Sequence, residues 1–233
     1  MRMKLRDRKN WLVYTFWMLV GRVVLKRRFR SIIIDGWQNL PDRSQPFILV
    51  SNHTSRWDGL LAYYLLNRPS NFMVSPNELR GAQGVVLRSM GAFPASARCD
   101  LHGHVETQMA KGEPVVIFPE GDVFRDGKTH RFKSGTARFA LNCVKAGLDV
   151  PVVPIAITYE DDGRIARIAV APSVRASEYV AATQDGNPAA VHALSQRLFR
   201  EVCHLRYQLG SNGDAAVLFQ NSPSGWFDPG SVA

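Results

Sequence analysis

Two short polar clusters hold the residues best suited to do chemistry. The first is Ser51-Asn52-His53-Thr54-Ser55-Arg56-Trp57-Asp58, in which His53 and Asp58 lie five positions apart. A carboxylate that accepts a hydrogen bond from one imidazole nitrogen fixes the tautomer and leaves the other nitrogen free as a general base. On a continuous helix an offset of five residues rotates two side chains apart by about 140°. Pairing therefore requires His53 in a turn and Asp58 in the first helical turn, with Ser55 as the N-cap. The Ser55-x-x-Asp58 spacing equally fits a capping box in which Asp58 only closes the helix start, and on these residues alone both readings stand. The second cluster is Ile117-Phe118-Pro119-Glu120-Gly121-Asp122, where Glu120 sits between a residue that fixes the backbone and one that allows positive φ. A basic stretch follows it, with Arg125, Lys128, His130, Arg131 and Lys133. It reads either as a solvated loop or as a site for an anion. Arg98, just past the short apolar pair Ala92-Phe93, is a third candidate for an anionic group, with a plain surface arginine as the alternative.

The elements around these clusters alternate between strand and helix. Phe47–Val50 and Val115–Phe118 are apolar runs bounded by turn residues and read as buried strands. Shorter or alternating strands are expected at 32–34, 72–74, 92–93, 152–159 and 165–170, with Pro154 suggesting an edge or a bulge. Helices are expected over 58–66, 78–90, 100–111, 134–146 and 188–209. This order predicts an α/β fold with a largely parallel mixed sheet and helices on both faces. Ligands of such sheets sit beyond the carboxyl ends of the strands. Both polar clusters follow the two clearest buried strands, where that rule requires them.

The chain has 233 residues, with 45% apolar content that is ample for one folded domain and excludes disorder as its main state. Ten of the 29 Lys/Arg but only Asp7 of the 20 acids fall within residues 1–30, so the whole net charge of +9 resides there. A nucleic-acid binder spreads its basic residues over a folded surface, so nucleic acid is not an expected partner. The same segment carries an apolar run from Trp11 to Leu25. Fifteen helical residues reach roughly 22 Å, short of the ~30 Å hydrocarbon core of a bilayer, and no small-x-small cleavage site follows. A helix lying in one leaflet against an anionic surface fits this pattern, with a buried core helix as the alternative. The organisation expected is a membrane-associating segment over 1–30, a folded domain over 31–209 and an extended or mobile tail over 210–233. Three cysteines without a CxxC pair point to a reducing compartment and no structural zinc, and Cys99-x2-His102-x-His104 reads as surface residues.

The order Asn52-His53-x4-Asp58, then Phe118-Pro119-Glu120-Gly121, then Val153-Pro154-Ile155 resembles the lysophosphatidic acid acyltransferase family of glycerolipid acyltransferases. Gly36-Trp37-Gln38-Asn39-Leu40-Pro41 is similar to the lead-in before that family's histidine block, and the likeness runs from about residue 32 to 160. The resemblance implies acyl transfer from acyl-CoA or acyl-carrier protein to a lysophospholipid hydroxyl, without an acyl-enzyme and with no further cofactor or metal. It implies that His53 is the base and Asp58 its partner. It also implies that Arg98, Glu120, Gly121 and Lys133 bind the acceptor, with Gly135 matching a position beyond them. Such a protein is expected at the cytoplasmic face of the cell membrane, peripheral or monotopic. Two departures bear on acceptor identity: Asp122-Val123 stand where the family commonly has Thr-Arg, and Ala95-Ser96-Ala97 precede Arg98. A serine hydrolase is disfavoured because the chain has no G-x-S-x-G elbow. A membrane-binding protein without catalysis is the rival from another class.

Overall fold

The computed structural model of the protein describes residues 3–180 and 188–214. In chain order the elements are α1 (Trp11–Arg28), β1 (Ser31–Asp35), β2 (Ile48–Ser51), α2 (Asp58–Leu66), β3 (Asn71–Val74), α3 (Gly81–Ser89), β4 (Ala92–Pro94), α4 (Leu101–Met109), β5 (Val115–Ile117), α5 (Gly135–Lys145), β6 (Pro151–Glu160), β7 (Ile165–Val170), β8 (Val174–Arg175), α6 (Ser177–Val180) and α7 (Pro188–Gln208). One sheet joins the strands in the order β1-β7-β6-β2-β5-β3-β4, with β8 paired to β6. Strands β6, β2, β5, β3 and β4 run parallel, whereas β7 returns antiparallel along β6 through the turn at 161–163.

Successive strand residues face opposite sides of a sheet, and here each side meets a different set of helices. Ile48, Val50, Val115 and Ile117 point toward α4, α5 and α7, where Met109, Phe139, Leu194 and Leu198 close the core. Leu49, Val116, Val153 and Ile155 point the other way, onto α1 and α2 through Met18, Leu25 and Leu61. The mixed sheet with helices on both faces is the expected architecture. Each fully buried Leu, Ile or Val in these layers contributes about 1.5–3 kcal/mol from removal of apolar surface from water.

Helix α1 explains why its sequence reads apolar all round. Tyr14, Met18, Gly21 and Leu25, spaced to form one stripe, are buried against α2. Leu12, Phe16, Leu19 and Val23 repeat the same spacing half a turn away and are exposed, Leu12 and Phe16 by 69% and 58%. Gly21 permits the close crossing, since a Cβ there falls 3.0 Å from Leu60 Cδ1. Among the described residues no helix is long and apolar enough to cross a membrane.

Several local expectations need correction. The helix expected from Glu78 is a 3₁₀ turn at Pro76–Leu79 followed by α3, because the chain needs a break at Gly81, where φ is +60°, to fold Gly84 onto Leu79. Pro154 marks neither an edge nor a bulge. It lies inside β6 opposite Val50, in the gap where the β8 pairing has ended at Val152 and the β7 pairing begins at Ile155, so its missing N–H interrupts neither antiparallel partner. Cys99 and His104 are buried rather than on the surface, and His102 stacks on Phe139. No three metal-ligating side chains gather among the described residues.

Past α7 the chain turns at 212–214 and buries Asp214 completely, while residues 215–233 of the expected tail lie outside the described residues. Asp214 pairs with the buried Arg206 at 2.9 Å and accepts hydrogen bonds from the N–H and hydroxyl of Thr129. Arg206 also donates to the Thr129 hydroxyl and to the Gly127 carbonyl. Asp214→Ala leaves that guanidinium buried without its counter-charge and should destabilise the protein by about 3–5 kcal/mol. Denaturant unfolding checks this, with Arg206→Met/Asp214→Leu expected to recover most of the loss.

Candidate active site

Strand β2 has β6 on one side and β5 on the other, so the segments leaving all three strands converge at one edge of the sheet. Asn52, fully buried at the end of β2, extends the ladder with its side chain. Its amide donates to the Ile157 carbonyl at 2.9 Å and accepts from the Ile157 N–H at 2.8 Å. That clamp sets where the β2–α2 turn starts, and His53 is its next residue. The imidazole Nδ1 lies 2.9 Å from Asp58 Oδ2, and the ring stacks on Phe118 with centroids 4.3 Å apart. No group among the described residues hydrogen-bonds Nε2.

Asp58 is fully buried and each of its oxygens has donors. Oδ2 accepts the N–H groups of Thr54 at 2.7 Å and Ser55 at 2.8 Å, besides His53. Oδ1 accepts the hydroxyl of Tyr159 from β6. Ser55 is not the helix N-cap, a position that falls to Trp57 without a side-chain bond; the Ser55 hydroxyl instead accepts the Trp57 N–H at 3.3 Å. The carboxylate reaching back to the Ser55 N–H makes the same bond as the returning half of a capping box, but across the turn that leads into the helix. Helix closure and histidine pairing are thus performed by the same oxygen. Burial, together with the Asp58 charge, raises the Tyr159 phenol well above its ordinary range and keeps it a neutral donor.

Glu120 reaches the same turn from the end of β5. Its Oε1 accepts the His53 N–H at 3.1 Å, and the His53 carbonyl accepts the N–H of Phe124 from the same loop. The side chain is 97% buried and Oε2 has no hydrogen-bond partner. Burial pushes the carboxyl up to about 8, with the nearby Asp58 adding to the rise and the His53 N–H opposing it. Near neutral pH the group is therefore chiefly the protonated acid, with Oε2 available as a donor to a ligand.

Gly121, with φ +73°, and Lys133 form a second contact, closed by the Lys133 N–H to Pro119 carbonyl bond at 2.9 Å. A Cβ on Gly121 falls 2.2 Å from Lys133 Nζ, so a side chain there would displace the exposed ammonium from beside the Glu120 turn. Arg98 follows β4, three strands from β2 on the same sheet edge, and is exposed without a contact to His53, Asp58 or Glu120. Its backbone carbonyl accepts the Met3 N–H. The sequence reading missed Tyr159, whose hydroxyl reaches Asp58 from 101 residues away, and the Asn52 clamp. A tyrosine near the end of a predicted strand carries no signal that its hydroxyl is needed elsewhere. Asn52 did carry one, as an amide immediately after four apolar residues and a serine.

The strand ends thus bring together a histidine–carboxylate pair, whose Nε2 meets no other hydrogen-bonding group among the described residues, and a buried acid held chiefly neutral. A protein-family model described as Acyltransferase matches residues 31–158, over half of the chain. The chain belongs to this acyltransferase family. It is 33% identical over 138 residues to the 1-acyl-sn-glycerol-3-phosphate acyltransferase LPAT1, chloroplastic, of Arabidopsis thaliana, which covers 55% of this chain and 36% of that relative. It is 32% identical over 117 residues to the 1-acyl-sn-glycerol-3-phosphate acyltransferase of Borreliella burgdorferi, covering 48% of this chain and 46% of that one. The matched region thus spans between a third and a half of these relatives' length. The crystal structure of the 1-acyl-sn-glycerophosphate acyltransferase PlsC from Thermotoga maritima shares the fold, with a TM-score of 0.66 at 18% identity over 85% of this chain and 80% of that one.

Two outcomes follow from the geometry. Tyr159→Phe removes one donor from a buried carboxylate and should lower stability by about 1–3 kcal/mol, read by thermal unfolding. Glu120→Gln tests the raised carboxyl. A folded-state value of about 8, above the ordinary 4.5, gives stability that is complete below 4.5 and is lost as pH rises through 8. The amide never ionises, so the melting temperature of Glu120→Gln should gain on that of the parent protein from pH 5 to about pH 8 and level off above it.

Proposed function

We propose that the protein transfers a fatty acyl group from a thioester, acyl-CoA or acyl-carrier protein, to the free hydroxyl of a lysophospholipid, with lysophosphatidate giving phosphatidate as the first reaction to test. The observation that carries this reading is the His53 Nδ1–Asp58 Oδ2 contact at 2.9 Å together with an uncommitted Nε2. The acceptor hydroxyl gives its proton to Nε2 as its oxygen attacks the thioester carbonyl. The tetrahedral intermediate collapses with cleavage of the C–S bond, an ester forms, and the proton leaves with the thiolate. Asp58 holds the ring and stabilises the imidazolium, as its four donors hold it in turn. No acyl-enzyme is needed: all three cysteines are buried, and burial pushes Cys143 and Cys203 up to about 12. The step balances without a further cofactor.

Glu120 Oε2, Lys133 above Gly121 and, farther along the edge, Arg98 supply donors and positive charge for the acceptor. The exposed apolar stripe of α1, with Lys4, Arg6 and Arg8 ahead of it in the chain, suits docking on an anionic membrane at its cytoplasmic face, where a lysolipid resides. A different lysolipid or an amino-lipid acceptor is the second reading, favoured by Asp122, whose carboxylate accepts the Val123 N–H at the place where the family commonly has Thr-Arg.

Purified protein incubated with a labelled acyl thioester and a panel of lysolipids tests the proposal. His53→Ala and Asp58→Asn are expected to lower kcat by about 10²–10⁴ with the fold retained. Full transfer activity in His53→Ala, or release of free fatty acid with no transfer to any lysolipid, overturns it.

A further inference from the structure

A cavity of about 320 Å³ opens where the end of α1 meets the starts of β1 and β7, and it is lined by Lys26, Arg27, Arg28, Phe29, Arg30 and Arg164. Five of these six residues are cationic, and no ion pair among the described residues engages any of them. The negative end of the α1 dipole favours the first three. It does not account for Arg30 and Arg164, which come from other elements and are tied together by the Arg30 N–H to Arg164 carbonyl bond at 2.7 Å. Asp161 and Asp162, in the neighbouring turn, are exposed and pair with none of the five. Uncompensated like charges around one hollow raise its affinity for an anion bearing several charges.

The hollow lies beside the candidate catalytic pair. The Arg28 guanidinium sits 5.1 Å from the Phe29 ring centroid and 5.8 Å from that of Trp57. Phe29 stacks on Tyr159 at 5.9 Å, and Tyr159 donates to Asp58. One aromatic layer therefore separates the cations from the carboxylate, which meets Tyr159 through Oδ1 and His53 through Oδ2. The phosphate of a lysophosphatidate is only a few bonds from its reacting hydroxyl and must stay close to Nε2. The phosphates of a CoA thioester lie at the far end of the long pantetheine arm and can occupy a hollow around the corner. The nucleotide also carries about four negative charges on its 3′-phosphate and diphosphate, a match for five cations that a single headgroup does not offer.

We propose that this cleft binds the nucleotide phosphates of an acyl-CoA donor. The inference rests on the transfer reading above for its biological use, but its first test needs no turnover. In calorimetric titrations of the full chain, CoA should bind more tightly than 3′-dephospho-CoA. The exposed-residue variant Lys26→Gln/Arg27→Gln/Arg30→Gln/Arg164→Gln should bind CoA about tenfold more weakly or worse and lose the preference between the two ligands. In transfer assays its KM for acyl-CoA should rise by a similar factor, with kcat and the KM for lysolipid within about twofold. Unchanged CoA binding overturns the proposal. So does a rise confined to the lysolipid KM or to the acyl-carrier-protein KM, or a loss confined to co-sedimentation with phosphatidylglycerol vesicles, each of which assigns the cations to that ligand instead. If the parent protein transfers no acyl group yet the titrations follow the expected pattern, the transfer reading fails and the nucleotide cleft stands.

Discussion

A carboxylate with no exposure to solvent is tolerated only when its oxygens are met by donors, because the lost hydration of a charge is worth several kcal/mol. Asp58 meets that condition with the N–H groups of Thr54 and Ser55, the His53 ring and the Tyr159 hydroxyl. Satisfying this one group fixes the turn after β2, starts α2, aims the imidazole and ties α2 to β6. Hydrogen-bond accounting around a buried acid and orientation of the His53 ring are here the same construction.

Glu120 shows the contrast. It is nearly as buried, but one oxygen accepts the His53 N–H while the other has no hydrogen-bond partner, so burial drives it toward the neutral form. Two carboxyl groups brought to one turn by adjacent strands thus differ in their surroundings through the number of donors each strand-end supplies. The loop carrying Glu120 and Lys133 also carries Thr129, which the buried Arg206–Asp214 pair ties to the end of α7.

Helix α1 meets the core-helix reading of its sequence along one stripe only. One stripe of the helix is core, sealed onto α2, and the opposite stripe is exposed apolar surface leading to a cationic hollow. An apolar run of this length has room for both because a helix presents each spacing pattern twice, half a turn apart. The helix therefore has one face committed to folding and one available for a surface, and its last turn carries Arg28 to the aromatic layer over the active-site edge.

The sequence by itself determined the α/β class, the two central strands and the grouping of both polar clusters at one sheet edge. These follow from local rules: apolar runs bounded by turn residues make buried strands, and polar residues just past parallel strands fall at their carboxyl ends. It left open whether Asp58 serves a cap or a histidine, since spacing alone does not say where a second oxygen points. Tertiary structure decided that, through Tyr159 and the Asn52 clamp, whose partners lie about a hundred residues away. It likewise decided that Pro154 is interior and that Arg98 stands apart from His53. Burial and hydrogen-bond satisfaction depend on which strands become neighbours, and that is settled only when the whole sheet closes.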